Sequence, residues 1–253
     1  MSVRFPGPKS AGDCTAISKT NGSRLFSVAS YNIHQCVGWD ARRDPARVAE
    51  VIRNLDADII GLQEVDSRAG AISGSYQTKY LAEVTGFDAI AGPTIQTHTG
   101  EYGNVLLTRR PIQDIRLLDL SVPGLERRGA IDAYIDIEGE TVRVLVAHLG
   151  LRRTERHFQV TQLLTALSDR RTRIVILLCD LNEWFPLGCC LSWLDSRLGK
   201  SVPLRTFPSI FPFLALDRIW VCPNEALIDV SVHKTRPART ASDHFPLKGL
   251  IRR

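Results

Sequence analysis

The chain has 253 residues, 44% of them hydrophobic and 23% charged, with a formal charge of +5. This is globular composition, sufficient for one large core or two small ones, and no apolar run approaches the roughly 20 residues of a membrane-spanning helix. The basic excess, mostly arginine, fits an anionic partner such as a phosphate ester as well as it fits plain solubility.

Residues 1–23 are polar and rich in Gly, Ser, Thr and Lys. They are expected to form a flexible leader, without the apolar stretch of a secretory signal. Residues 24–253 contain no Pro/Gly-rich linker and no repeat, so a single domain is expected. LFSVASYN (25–32) is apolar or small on both faces, as in a strand covered on both sides. Asp44-Pro45 opens a helix, with Val48, Val51, Ile52 and Leu55 on one stripe. ADIIGLQE (57–64) is the next buried strand, and a short helix over 76–85 stops at Gly86. Strands are expected at 103–109, 112–119, 129–137 and 141–148. A helix begins near Thr154, with Val160, Leu163, Leu164 and Leu167 as its apolar stripe. RIVILLCDLN (173–182) is a buried strand that runs into an acid. A helix over 187–198 and strands near 215–222, 226–233 and 244–251 follow. Many strands with few helices between them favour two packed sheets flanked by helices.

Six cysteines, Cys14, Cys36, Cys179, Cys189, Cys190 and Cys222, include no C-x-x-C pair. They are expected as reduced thiols of a cytoplasmic protein, mostly buried as small hydrophobes.

Polar side chains interrupt the apolar runs at their ends. Asn32 ends the first strand and Gln63-Glu64 the second; Asn104 opens NVLLT; His148 ends VRVLVAH; Asp180 and Asn182 end IVILLCDLN. Asp217 precedes RIWV, and Asp243-His244 precede the last apolar run. Any one of these alone is most simply a cap or turn residue. As a set, they fit one acidic, amide- and histidine-bearing pocket if the strand ends share a rim. Glu64, Asp243 and the Asn32 amide oxygen suit a hard divalent cation. An Asp–His pair supplies a base for water, and His148, Asn182 and Arg128 suit charge developing on phosphoryl oxygens.

Ordered motifs carry a family resemblance: SYNIH (30–34), DIIGLQEVD (58–66), YGNVLLTRRPI (102–112), ERRGAI (126–131), VLVAHLGL (144–151), VILLCDLNEW (175–184), LALDRIWV (214–221) and SDHFPL (242–247). With them the chain resembles the endonuclease/exonuclease/phosphatase superfamily. The resemblance implies an α/β fold of the DNase I-like kind, a four-layer sandwich of two packed mixed or antiparallel sheets flanked by helices. It implies a Mg²⁺-dependent phosphoesterase, with Mn²⁺ able to substitute, acting by in-line attack of an activated water. By motif, Glu64 is the main metal ligand, helped by Asn32 and Asp243. His244 handles the proton or polarises the phosphate, and Asp217 orients it. Asp180 and Asn182 position water and hold phosphoryl oxygens, and His148 is a second transition-state donor. Tyr102, Asn104 and Arg128 contact the substrate phosphate.

A phosphodiesterase is favoured. The substrate stays open among nucleic acid, phospholipid or sphingolipid, and small phosphorylated molecules; a nuclease, a DNA-repair-type endonuclease and a phosphomonoesterase remain alternatives. The contrasting class is a phosphate-ligand binding protein whose catalysis has decayed. A monomer is expected. Cys179 departs from the glycine the family places before D-x-N. Trp184 is expected to pack against the next helix, with a stacking platform for a base or lipid head group as the alternative. Arg152, Arg153 and Arg156 are expected as a solvated helix face, with attraction to phosphate or a membrane surface as the alternative. Cys189-Cys190, His34 and His157 are read as packing or surface residues.

Overall fold

The computed structural model describes residues 25–68, 76–169, 171–186 and 188–253; the expected leader, with Cys14, lies outside the described residues. The strands are β1 (Leu25–Asn32), β2 (Ile59–Asp66), β3 (Asp88–Thr97), β4 (Gly100–Thr108), β5 (Ile112–Asp119), β6 (Gly129–Ile137), β7 (Glu140–His148), β8 (Ile174–Asp180), β9 (Asp217–Cys222), β10 (Leu227–Val232) and β11 (Leu247–Arg252). The helices are α1 (Pro45–Leu55), α2 (Gln77–Thr85), α3 (Arg153–Ala166), α4 (Cys189–Leu198) and α5 (Arg236–Ala241).

Two sheets form, ordered β10-β11-β1-β2-β4-β3 and β5-β6-β7-β8-β9. Their facing sides share one apolar core that includes Val28, Ile59, Leu106, Val144, Val146, Ile176, Leu178 and Ile219. The other side of the first sheet packs under α1, α2 and α5 through Tyr31, Ile60 and Leu62. The other side of the second packs under α3 and α4 through Leu145, Leu177 and Cys179. This is the four-layer α/β sandwich the sequence implied. Strands buried on both faces explain the near-continuous apolar runs. Gly61 marks close approach between the sheets: a Cβ there would lie 2.9 Å from Val146 Cγ2 and 3.1 Å from Leu178 Cβ.

Local chemistry sets the helix ends. Asp44 accepts hydrogen bonds from Ala46 N and Arg47 N, and Pro45 begins α1 where no amide proton is needed. Gly86 closes α2 at φ 70°, in the left-handed region glycine tolerates.

Two elements escape a periodicity reading. β3 contains Gly92 and Pro93, yet it lies at a sheet edge, where a missing N–H costs no ladder bond, and its register shifts between Pro93 and Ile95. α5 is only six residues long and is started by the Thr235 side chain, which accepts from Ala238 N. The last strand begins at Leu247 rather than at 244, so Asp243 and His244 sit in the segment leading into it.

Candidate active site

Side-chain alternation gathers the polar residues. In β7, Val142, Val144 and Val146 face the inter-sheet core, and His148 continues that face. In β8, Ile174, Ile176 and Leu178 lead in the same way to Asp180, and in β9 Asp217 precedes Ile219 and Val221. His148 pairs with Asp180 across β7–β8, and Asp180 with Asp217 across β8–β9, so the three form one register row. From the first sheet, Asn32 extends the Phe26–Val28–Ser30 face, and Asn104 lies two residues before Leu106 on β4.

Glu64 is out of phase with this pattern, because Ile60 and Leu62 face the helices. A bulge corrects it. β2 and β4 pair Leu62 with Val105 and Val65 with Gly103, so Gln63 and Glu64 stand opposite Asn104 alone. Glu64 takes φ 56°, an uncommon conformation for a non-glycine residue, of a kind stored at functional sites. The carboxylate joins the inward-facing group.

Asn32 Nδ2 donates to Glu64 Oε1 at 3.0 Å and to Asp180 Oδ2 at 2.9 Å, linking the two sheets. Asp180 Oδ1 accepts from Asn182 N at 3.0 Å, with Asn182 at φ 52°. Asn182 Nδ2 donates to Leu149 O and lies 2.9 Å from His148 Nε2. His148 Nε2 is 3.6 Å from Asp180 Oδ2 and 3.9 Å from Glu64 Oε1. Burial lowers the His148 pKa to about 3 against the pull of Asp180, so the imidazole is neutral.

His244 is the opposite case. Its Nδ1 lies 2.8 Å from Asp217 Oδ2, and its Nε2 lies 3.8 Å from Asp180 Oδ2. Burial alone would lower its pKa, but Asp217, Asp180 and Asp243 outweigh it and raise it to about 10. Two buried histidines a few ångströms from the same carboxylate thus hold different charges.

Asp243 lies at the mouth of the segment that leads into β11. Its carboxylate, partly exposed, lies 3.7 Å from His34 Nδ1. It is connected through Ser242, whose Oγ lies 2.7 Å from Asn32 O and 3.4 Å from Asp243 Oδ1. Tyr102, Asn104, Arg128, Glu64 and His148 line one small cavity. Arg128 is buried with its guanidinium forked onto Glu126, whereas Arg127 is exposed. Asn104 Nδ2 is engaged by Gly129 O, tying β4 to β6. Burial, then Glu64 and Glu126, keep Tyr102 protonated.

Thr206 and Phe207 are site neighbours that no sequence pattern flags. Thr206 Oγ1 donates to Asp217 Oδ2 at 2.5 Å, and the Phe207 ring packs 4.9 Å from the His244 ring. Both come from an irregular segment without periodicity. Two expectations need correction, at Trp184 and Arg156, whereas His157 packs as expected. Trp184 is 54% exposed, because the loop after Asn182 turns it outward rather than onto α4. Arg156 is buried, not solvated: it pairs with Glu183 at 3.2 Å and donates to Gly150 O and Leu151 O. His157 bonds Cys189 Sγ through Nε2 at 2.7 Å and packs its ring against Trp193. Cys179 is accommodated, since it points under α3 and α4.

The donor set fits a hard cation. Glu64 and Asp180 converge on the Asn32 amide, with oxygen donors predominating. Asp180, Asp217 and His244 also cluster, and there His244 Nδ1 and Thr206 Oγ1 both engage Asp217 Oδ2.

The sequence profile of the Endonuclease/Exonuclease/phosphatase family matches residues 29–244. The uncharacterized protein YbhP of Escherichia coli (strain K12) is 30% identical over 251 residues, 89% of this chain and 96% of that protein. An endonuclease/exonuclease/phosphatase from Beutenbergia cavernae DSM 12333 superposes with a TM-score of 0.71 at 23% identity, over 90% of this chain and 72% of that one. The Bacteroides thetaiotaomicron VPI-5482 mannosyl-6-phosphatase Bt3783 gives 0.71 at 21% identity, over 89% and 99% of the two chains.

Proposed function

The chain belongs to the endonuclease/exonuclease/phosphatase family, typically divalent-metal hydrolases of phosphate esters, and from that premise we propose that it is a Mg²⁺-dependent phosphodiesterase. One observation carries the reading: the Asn32–Glu64–Asp180 cluster lies within reach of a protonated His244 held by Asp217.

Glu64 would hold the cation together with the Asn32 amide oxygen, which accepts from His34 N, and Asp243 would add charge from the Ser242 side. When bound, the cation neutralises phosphate charge and polarises the reacting ester. Asp180, fixed by Asn182 N and Asn32 Nδ2, orients water for in-line attack and takes its proton. His244 directs a charged N–H at the phosphoryl oxygens. Asn182 and the neutral His148 supply polarity beside them, and Tyr102 and Asn104 from the first sheet, with Arg128 from the second, border the phosphate. The neighbour described as a mannosyl-6-phosphatase supports a monoester as the second reading, on fold likeness alone. Five free thiols among the described residues support a reducing, cytoplasmic setting.

The test is release of p-nitrophenol from bis-p-nitrophenyl phosphate and p-nitrophenyl phosphate with Mg²⁺, Mn²⁺ or EDTA. Metal-dependent release from the diester is expected. A folded sample inert with every metal on both esters would sink the enzyme reading and leave the phosphate-binding alternative.

A further inference from the structure

Large apolar side chains stand exposed on the loops that carry the candidate site. Trp184 and Phe185 follow Asn182, and Phe185 is 73% exposed. Ile210, Phe211 and Phe213 lie between Thr206 and Asp217, and Phe211 is 76% exposed. Leu151 follows His148 by three residues and is exposed as well. Trp39, seven residues after Asn32, is half exposed and donates from Nε1 to Ser209 Oγ, which fixes it against the 206–216 loop.

These loops are anchored beneath their apolar tips. Ser209 N donates to Asp243 O, Thr206 to Asp217 Oδ2, and Phe207 packs on His244. Arg156 ties the Leu151 loop to the Glu183 loop through Leu151 O and the Glu183 carboxylate. The apolar side chains are therefore presented outward by polar bonds made below. Exposing several such residues together in water is unfavourable unless a partner covers them.

The charge on the same loops selects the partner. Arg42, Arg152, Arg205 and Arg239 are exposed beside the apolar tips, and Arg239 Nη1 donates to Ile210 O. Asp40 is paired with Arg47 and Glu183 with Arg156, and the partly exposed Asp243 lies 3.7 Å from His34 Nδ1. Bulky aromatic and aliphatic tips backed by arginines match the boundary between acyl chains and anionic headgroups. Base stacking would use the aromatic rings but not Leu151 or Ile210, which have no π face.

We propose that this rim docks the protein on an anionic lipid bilayer and so presents phosphate esters at that surface to the site; the inference rests on the phosphoesterase reading. The test is co-flotation of the whole protein with phosphatidylcholine vesicles, with and without phosphatidylglycerol. It is run on wild type and on the double substitution Phe185→Ser/Phe211→Ser, alongside bis-p-nitrophenyl phosphate hydrolysis. Wild type should float, more so with phosphatidylglycerol and less at high salt. The double variant should lose at least about tenfold in partitioning and keep its turnover of the soluble ester. Wild type that hydrolyses the soluble ester but stays with the soluble fraction would overturn the docking alone. So would a variant that floats as well as wild type, a dimer the two substitutions dissolve, or a rim that binds single-stranded oligonucleotide and no vesicle. Wild type that floats but hydrolyses neither soluble ester would instead defeat the phosphoesterase reading.

Discussion

His244 and His148 border the same carboxylate, Asp180, and carry different charges because only His244 has a dedicated acid, Asp217, at its second nitrogen. His244→Ala should lower turnover by about 10²-fold or more. Asp217→Asn should also reduce it, since the amide cannot hold the imidazole charged. Near-normal turnover of the folded His244→Ala protein refutes that role. At Glu64 the expected loss is of metal response. Mg²⁺ should raise the wild-type melting temperature by binding only the native state, and Glu64→Gln should abolish the rise. An unchanged rise would remove Glu64 from the ligand set. Most site residues were legible because each continues an inward-facing alternation: Val142, Val144 and Val146 lead to His148, and Ile176 and Leu178 to Asp180. Glu64 breaks that parity: its place at the end of an apolar run and the family motif flagged it, but the two-for-one bulge that turns it inward leaves no mark in the hydrophobic pattern. Thr206 was invisible for a related reason: its segment forms no regular element.

Strands buried on both faces announced themselves as apolar runs, whereas β3 and α5 did not, being an edge with a proline and a single short turn. The junction between β1 and β2 gives a pH prediction. Burial by itself would raise the Asp58 carboxyl, but Ser27 N–H at 2.8 Å and Arg110 at 2.6 Å outweigh it and hold it below its usual value. An unfolded aspartate titrates near about 3.9. The stabilisation is therefore complete above that pH and is lost as pH falls through the lower folded value. Urea midpoints from pH 6 down to about pH 2 should decline in wild type, and Asp58→Asn should remove part of that decline. Identical slopes would show that Asp58 contributes nothing. Gly61 supplies a packing counterpart: Gly61→Ala should cost about 1–3 kcal/mol, read as a lower urea midpoint at unchanged slope. No loss would mean the sheets adjust there freely.

Neither sheet contains the whole site. Asn32 and Glu64 come from the first and His148, Asp180 and Asp217 from the second, so the chemistry exists only where the two are docked. Removing residues 242–253 deletes His244 and also β11, which lies between β1 and β10. That chain should fail to give a cooperative unfolding transition, whereas His244→Ala should retain one. A cooperative, stable truncated chain would show that β11 is dispensable for the fold.

The bond from Ser242 Oγ to Asn32 O closes a loop of 210 residues. During synthesis β1 emerges well before its β11 partner, so for that interval a nascent chain carries Asn32 and Glu64 without a partner on one side of β1. Until β11 is delivered, the growing polypeptide lacks His244's anchoring strand and presents a bare pairing edge to its neighbours. Shielding by a chaperone matters most in that interval, and the step that ends the exposure is the same one that completes the site.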